Sequence, residues 1–190
     1  MIFPTHNYGQ QTTIGTIDHL KNPSIKKIKE YYSNYYVPNN MAICLSGDFD
    51  PDQAIKWIEE QFGYYQSKPI TPYDAPTEKP LEKVSEMEIF GPEAEAVMLG
   101  YRFPGVAEQD ALVMELIDMI LTNSSAGLID MNINKKQKTL STYTFAMTLK
   151  DYSILVLSGN PKEDQSLEQV RDLLLAEVEN VKKGNFTTTC

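Results

Sequence analysis

The 190-residue chain is expected to fold as an α+β protein, a mainly antiparallel sheet with helices packed on one face. Hairpin-like strand pairs, a clean two-residue alternation over residues 143–149 and helices gathered beside these strands carry that expectation. Together they favour stacked layers over a doubly wound parallel sheet.

Residues 1–21, rich in Gly, Thr and His, read as an ordered loop. Asn22-Pro23 is a helix start, since Asn caps free amides and Pro tolerates the first helical position. Ile25, Ile28, Tyr32 and Tyr35 then share one helical face. Pro38 ends this helix, because the residue before a proline is pushed out of helical geometry. Residues 41–46 read as a buried strand. Asp50-Pro51-x-Gln53 opens a second helix, with Ile55, Ile58 and Phe62 on its apolar face and Gly63 closing it.

Pro69, Pro72, Pro76 and Pro80 recur through residues 65–80, which read as an extended, semi-rigid connector. Beyond it, residues 84–90 and 94–103 read as strands joined by a turn at Gly91-Pro92, with Val97, Leu99, Tyr101 and Phe103 on one face. Residues 109–121 form an apolar helix: Leu112, Leu116 and Ile120 lie beside Val113, Ile117 and Leu121, a stripe wide enough to imply deep burial. Tyr143, Phe145, Met147 and Leu149 are expected to face the core, alternating with Thr144, Ala146 and Thr148. Residues 154–157 are a candidate central strand. Ser166-x-x-Gln169 caps a last helix that buries Leu167, Val170, Leu174, Val178 and Val181 and stops at Gly184.

The composition, 42% hydrophobic and 23% charged, is that of a globular protein. Seventeen basic against 26 acidic residues give a net charge of −9, which repels phosphate backbones and anionic lipids. Nucleic acid is therefore not an expected partner, and no apolar run approaches the roughly 20 residues that span a bilayer. Residues 1–6 lack the basic start and apolar stretch of a secretion signal. Cys44, in an apolar run, reads as a buried reduced thiol, and Cys190, on a Thr-rich tail, as exposed. A bridge between them and the cellular compartment both stay open.

No catalytic or metal site is expected within the chain. His6 and His19 are the only histidines, and neither His-Glu-x-x-His nor His-x-x-Glu-His occurs, so the helical spacing that aims two imidazoles at one zinc is absent. Asp48, Asp50, Asp52 and Glu59 mimic a calcium loop, but Gln53 occupies the place that needs Gly, and Asp50 as a helix cap accounts for the same residues. Ser46-Gly47 and Ser158-Gly159 lack the Gly-x-Ser-x-Gly elbow. Tyr31, Tyr32, Tyr35 and Tyr36, at helical spacing, read as packing residues.

His6-Asn7-Tyr8-Gly9, Ile14-Gly15-Thr16-Ile17-Asp18-His19-Leu20, Tyr35-Tyr36-Val37-Pro38-Asn39-Asn40-Met41, Ser46-Gly47-Asp48-Phe49-Asp50 and Phe62-Gly63 follow one another in fixed order. That series resembles the insulinase/pitrilysin family of zinc metallopeptidases, just downstream of its zinc motif. The likeness extends through Phe103-Pro104, Asp110 and Gly127-Leu128 to the final helix, covering residues 3–186. It implies homologous α+β repeats that form a chamber around an unfolded peptide, with zinc held by His-x-x-Glu-His and a later Glu. All those ligands would lie upstream of Met1, so the chain itself carries no zinc and is expected to be inactive alone. Residues 1–64 would be the tail of the metal-bearing repeat and residues 81–190 the head of the next. Met1 would be an artificial start and the Thr-rich end a cut.

The family's substrate-holding Arg and Tyr fall near Lys138 and Tyr143, the candidate substrate-binding residues here. The usual Gly-Leu-x-Tyr pattern is broken, because the Tyr comes one place late, and Tyr143 also fits a core face. Two functions follow from the resemblance: a non-catalytic scaffold and chamber portion of a zinc endopeptidase, or an assembly or peptide-binding subunit that has lost catalysis. Expected partners are the remaining repeats and an unfolded peptide. Surfaces meant to dock would be apolar and favour homo-oligomers.

Overall fold

All β-structure among the described residues comes from the second half of the chain. The computed structural model describes residues 1–186, so the exposed Cys190 expected above lies outside the described residues. Contacts divide the chain into two units: Thr5–Glu78, and Met1–Pro4 with the chain from Lys79 onward.

The unit Thr5–Glu78 is helical. Two short helices, α1 (Asn7–Gln10) and α2 (Ile17–Lys21), stand where a plain loop was expected, because the His6 and Thr16 side chains accept amides at their starts. α3 spans Ile25–Tyr35, and its cap is Ser24 rather than Asn22: the Ser24 hydroxyl accepts from the Lys27 amide. α4 spans Pro51–Phe62 and is capped as expected by the Asp50 carboxylate, which accepts from the Asp52 and Gln53 amides at 2.9 and 3.1 Å.

The apolar faces of these helices are open, with Ile25, Ile28 and Tyr32 on α3 and Ile55 and Phe62 on α4 exposed. Residues 41–46 form no strand, and Cys44 is exposed, not buried. The physical reason is shared: strand and apolar stripe both need a covering neighbour, and among the described residues nothing pairs with this segment.

In the other unit, β1 (Val97–Pro104), α5 (Gln109–Leu121), β2 (Ser141–Thr148), β3 (Tyr152–Asn160) and α6 (Leu167–Lys182) build an α+β layer. The sheet is antiparallel in the order β1-β3-β2, which puts residues 154–157 on the central strand. Residues 84–90 form no strand, and Val84, Ile89 and Phe90 are more than four-fifths exposed. The core joins Met114 and Leu121 of α5, Ile129 and Ile133, Leu155 and Leu157 of β3, and Val170 and Leu174 of α6. Val97, Leu99, Tyr101 and Phe103 of β1 pack against it from the face the alternation assigned.

Close approach of α6 to the sheet depends on Gly159. A methyl group there would meet Val170 Cγ1 at 2.6 Å and Thr142 Cγ2 at 2.9 Å. The Ser166–Gln169 capping box starts α6 as expected, and Gly184 follows its end in a left-handed conformation.

Two expectations change. α5 is not deeply buried all round: Ala111, Met114 and Leu121 face the core, while Leu112, Leu116 and Met119 are exposed. β2 keeps its two-residue period but with opposite phase. Thr142, Thr144, Ala146 and Thr148 turn inward, and Tyr143, Phe145 and Met147 turn outward. Hydrogen bonding favours this phase, because the inward Thr142 and Thr144 hydroxyls find fixed partners. The Thr144 hydroxyl donates to Asp118 of α5 and lies 2.8 Å from the Thr122 hydroxyl.

Candidate functional site

The outward face of the sheet is laid out by its register. Three rows cross it: Met98, Ser158 and Tyr143; Gly100, Val156 and Phe145; Arg102, Ile154 and Met147. The Tyr143 and Phe145 rings lie offset and near-parallel, 6.3 Å apart. Met98, Tyr143, Phe145 and Met147 are all exposed, which gives one end and one side of this face an apolar, aromatic surface.

The β1 side of the same face is covered by the first residues of the chain. Ile2 lies against Gly100, where a side chain would collide with it. Phe3 is buried and tilted against Tyr152 at 5.6 Å. The Arg102 guanidinium lies over both rings, donating to the Ile2 carbonyl at 2.7 Å and to the Lys79 carbonyl.

β2 is positioned by the turn that precedes it. A π-helical turn, Asp130–Asn134, makes five-residue hydrogen bonds, from the Lys135 amide to the Asp130 carbonyl and from the Lys138 amide to the Ile133 carbonyl. Buried Asp130 accepts the Asn123 amide, and Asn123 Oδ1 in turn accepts the amides of Ser125, Ala126 and Gly127. Asn134 then reaches β2, donating to the Thr142 carbonyl at 2.9 Å while its own oxygen accepts the Thr142 amide and hydroxyl.

Lys138 and Tyr143 are not brought together. Lys138 is exposed in the loop before β2 and borders a wide-open depression of about 550 Å³ with Gln165, Gln169, Asp172 and Leu173. Those neighbours belong to the approach and first turns of α6, which packs on the inner face, whereas Tyr143 projects from the outer one. The Lys138 backbone is held on both sides, its carbonyl accepting from Gln165 Nε2 at 3.0 Å. Inside the sheet, burial raises the Tyr101 phenol above its ordinary range, with Glu179 adding to the rise and Lys182 opposing it.

Zinc does not fit the residues present. Among the described residues no three His, Cys, Asp or Glu side chains converge as a metal would require. His6 is buried, and its Nδ1 accepts the Tyr8 amide; His19 is exposed on α2. No chemical step through a metal is assigned to these side chains.

The asparagines of the Tyr-x-Pro-Asn-Asn-Met series are structural. Asn39 pairs with both backbone groups of Lys68, at 2.9 and 3.2 Å, and Asn40 donates to the Tyr35 carbonyl at the end of α3.

Residues 24–189 match the family model described as the peptidase M16 inactive domain. The chain belongs to the insulinase/pitrilysin (M16) family of zinc metallopeptidases. Among relatives, the zinc protease PqqE of Helicobacter pylori is 24% identical over 181 residues, covering 93% of this chain and 41% of that one. The uncharacterized zinc protease YmxG of Bacillus subtilis is 24% identical over 179 residues, covering 92% and 42%. The crystal structure of a protease from Helicobacter pylori superposes with a TM-score of 0.71 over 92% of this chain and 44% of the other, at 24% identity, and so shares the M16 fold. The M16 chain therefore spans about two fifths of the length of the curated relatives it matches. No helix is long and apolar enough to cross a membrane among the described residues.

Sequence reasoning missed Asp130, Asn134 and Glu177, the buried or half-buried polar residues that fix β2 and α6, and the exposed Asn123 that ties Asp130 to the preceding loop. The signal available was Asp130 and Glu177, charged side chains each set between apolar neighbours in core-forming segments.

Proposed function

We propose that this chain is a non-catalytic scaffold and substrate-chamber portion of a zinc metalloendopeptidase that acts on unfolded peptides. The match of residues 24–189 to the inactive-type M16 domain carries this reading. In it, residues 1–64 close a metal-bearing repeat, residues 65–80 connect, and residues 81–190 begin a non-metal repeat. Zinc and its His-x-x-Glu-His ligands belong to other parts of the parent, and the remaining repeats are the partners. Tyr143, presented with Phe145 on an open apolar face, contacts peptide, and Lys138 supplies a separate cationic contact.

The test is hydrolysis of an unfolded peptide by the full-length protein, with and without a chelator. Cleavage that the chelator abolishes, together with inertness of this chain alone, is expected. Cleavage by this chain alone would overturn the proposal. A full-length protein without His-x-x-Glu-His that binds peptide but never cleaves it would also overturn it, in favour of an assembly or peptide-binding subunit. Tyr143→Ala in the active full-length enzyme is expected to raise KM about tenfold with kcat nearly unchanged, the signature of lost ground-state binding.

A further inference from the structure

We infer that the outer face of the sheet takes an extended peptide with apolar side chains at every second position, laid along β2 over Tyr143, Phe145 and Met147. The inference rests on the reading of Tyr143 as a peptide contact and adds to it the class of peptide.

The chain's own first residues show what this face accepts. Residues 1–3 join no strand, yet Ile2 lies against Gly100 and Phe3 is buried beside Tyr152. Arg102 donates to the Ile2 carbonyl at 2.7 Å and sets its guanidinium 6.0 Å from the centre of the Phe3 ring. On the β1 side, then, a peptide segment is held by its apolar side chains and by a donor to its backbone.

The β2 side offers similar chemistry with the place open. Tyr143, Phe145 and Met147 are successive outward residues of one strand, all exposed, and the two rings are 6.3 Å apart. Side chains on one side of an extended peptide recur every two residues, about 6.7 Å. The two repeats match, so alternate side chains of such a peptide fall in step with the ladder. Between the two sides, Val156 and Ser158 of β3 are already buried, which leaves the ladder and Met98 as the uncovered apolar part. The Tyr143 hydroxyl adds a polar group for the peptide backbone.

The outer edge of β2 is another place for a peptide, but its start is closed, since Asn134 pairs with the Thr142 amide and carbonyl. A second copy stacking sheet on sheet would meet Ile2 and Phe3, which stand on the β1 side.

Fluorescein-labelled peptides of one composition provide the test, by fluorescence anisotropy with this chain. One alternates leucine with serine, the other groups its leucines together, and both are flanked by lysines. The alternating peptide is expected to bind on the order of tenfold more tightly, the worth of one apolar side chain partly buried. That preference is expected to vanish in Phe145→Ser and in Met147→Ser, either of which serves once its circular dichroism matches the parent. No binding of either peptide, equal affinities, or a preference that survives the substitutions would overturn the inference. A dimer in sedimentation that Phe145→Ser dissociates and peptide does not would overturn it in favour of a second copy. Hydrolysis by the full-length protein keeps the two readings apart. A binding preference without any cleavage would support the peptide class while sinking the peptidase reading. Chelator-sensitive cleavage of both peptides at equal kcat/KM would do the reverse.

Discussion

The side-chain amide of Asn134 pairs with Thr142 as a neighbouring strand would, giving an N–H to its carbonyl and taking its amide and hydroxyl. One side chain thus closes the start of β2's outer edge, where a bare backbone would invite pairing with other chains. Asn39 does the same for Lys68 in the other unit.

Asn134→Ala is expected to destabilise the chain by about 2 kcal/mol, since its three hydrogen bonds with Thr142 and a longer one to Asp130 go and the Thr142 groups lose their partner. Urea denaturation followed by circular dichroism measures it. A loss under about 0.5 kcal/mol would mean that water replaces the amide without cost.

Glu177 is buried, and a single oxygen, Oε2, accepts from both Asn132 and Asn180, at 3.0 and 2.9 Å. A glutamine carbonyl can also accept both bonds. Glu177→Gln is therefore expected to be near neutral and Glu177→Ala to cost about 2 kcal/mol. Equal losses for both variants would show that the charge, not the acceptor, matters.

The phase of β2 is open to a paired test. Ala146→Phe forces a ring into the α5–sheet interface and is expected to cost about 1–3 kcal/mol. Phe145→Ser removes an already exposed ring and should cost under about 1 kcal/mol. The reverse ranking in thermal melts would restore the core face expected from the alternation.

Tyr101 sets an alkaline limit. Its phenol is raised in the folded state, so folding favours the protonated form. That contribution is full below the unfolded value of about 10 and is lost as pH climbs through the higher folded value. Stability is expected to fall above about pH 10, less steeply in Tyr101→Phe. Denaturation midpoints across that range, with tyrosinate absorbance, check the sign; an unchanged slope in the variant would contradict it.

Gly159→Ala should cost about 2 kcal/mol, because the added methyl would sit 2.6 Å from Val170 and 2.9 Å from Thr142, and α6 must lift to admit it. A heat-capacity scan reads the change, and an unshifted midpoint would show that the helix yields freely.

Legibility in the sequence followed locality. The start of α4 at Asp50-Pro51 and that of α6 at Ser166-x-x-Gln169 are decided by residues within one turn, and both were readable. So was β3 as the central strand, since a run such as Ile154-Leu155-Val156-Leu157 suits burial on two faces. The phase of β2 was not: Tyr143, Phe145 and Met147 outweigh three threonines and an alanine in hydrophobicity. The inward choice rests on Asp118, Thr122 and Asn134, eight to 26 residues away in sequence. Periodicity reports that a strand has two sides without saying which partner waits on each. Residues 41–46 and 84–90 show the same gap, for their composition is that of strands and their pairing depends on a neighbour no local pattern encodes. Lys138 and Tyr143, close in sequence, part company because one precedes β2 and the other lies outward on it.

Arg102 has a practical consequence for anyone dividing the gene. The layer that begins at Lys79 is interrupted in sequence order, its other piece being Met1–Pro4, and the guanidinium grips a carbonyl from each piece. An expression clone started at Lys79 would keep every strand yet strip Tyr152 of Phe3 and leave Gly100 bare to solvent. Appending the Ile2-Phe3-Pro4 tripeptide through a short linker should recover what such a trimmed product loses.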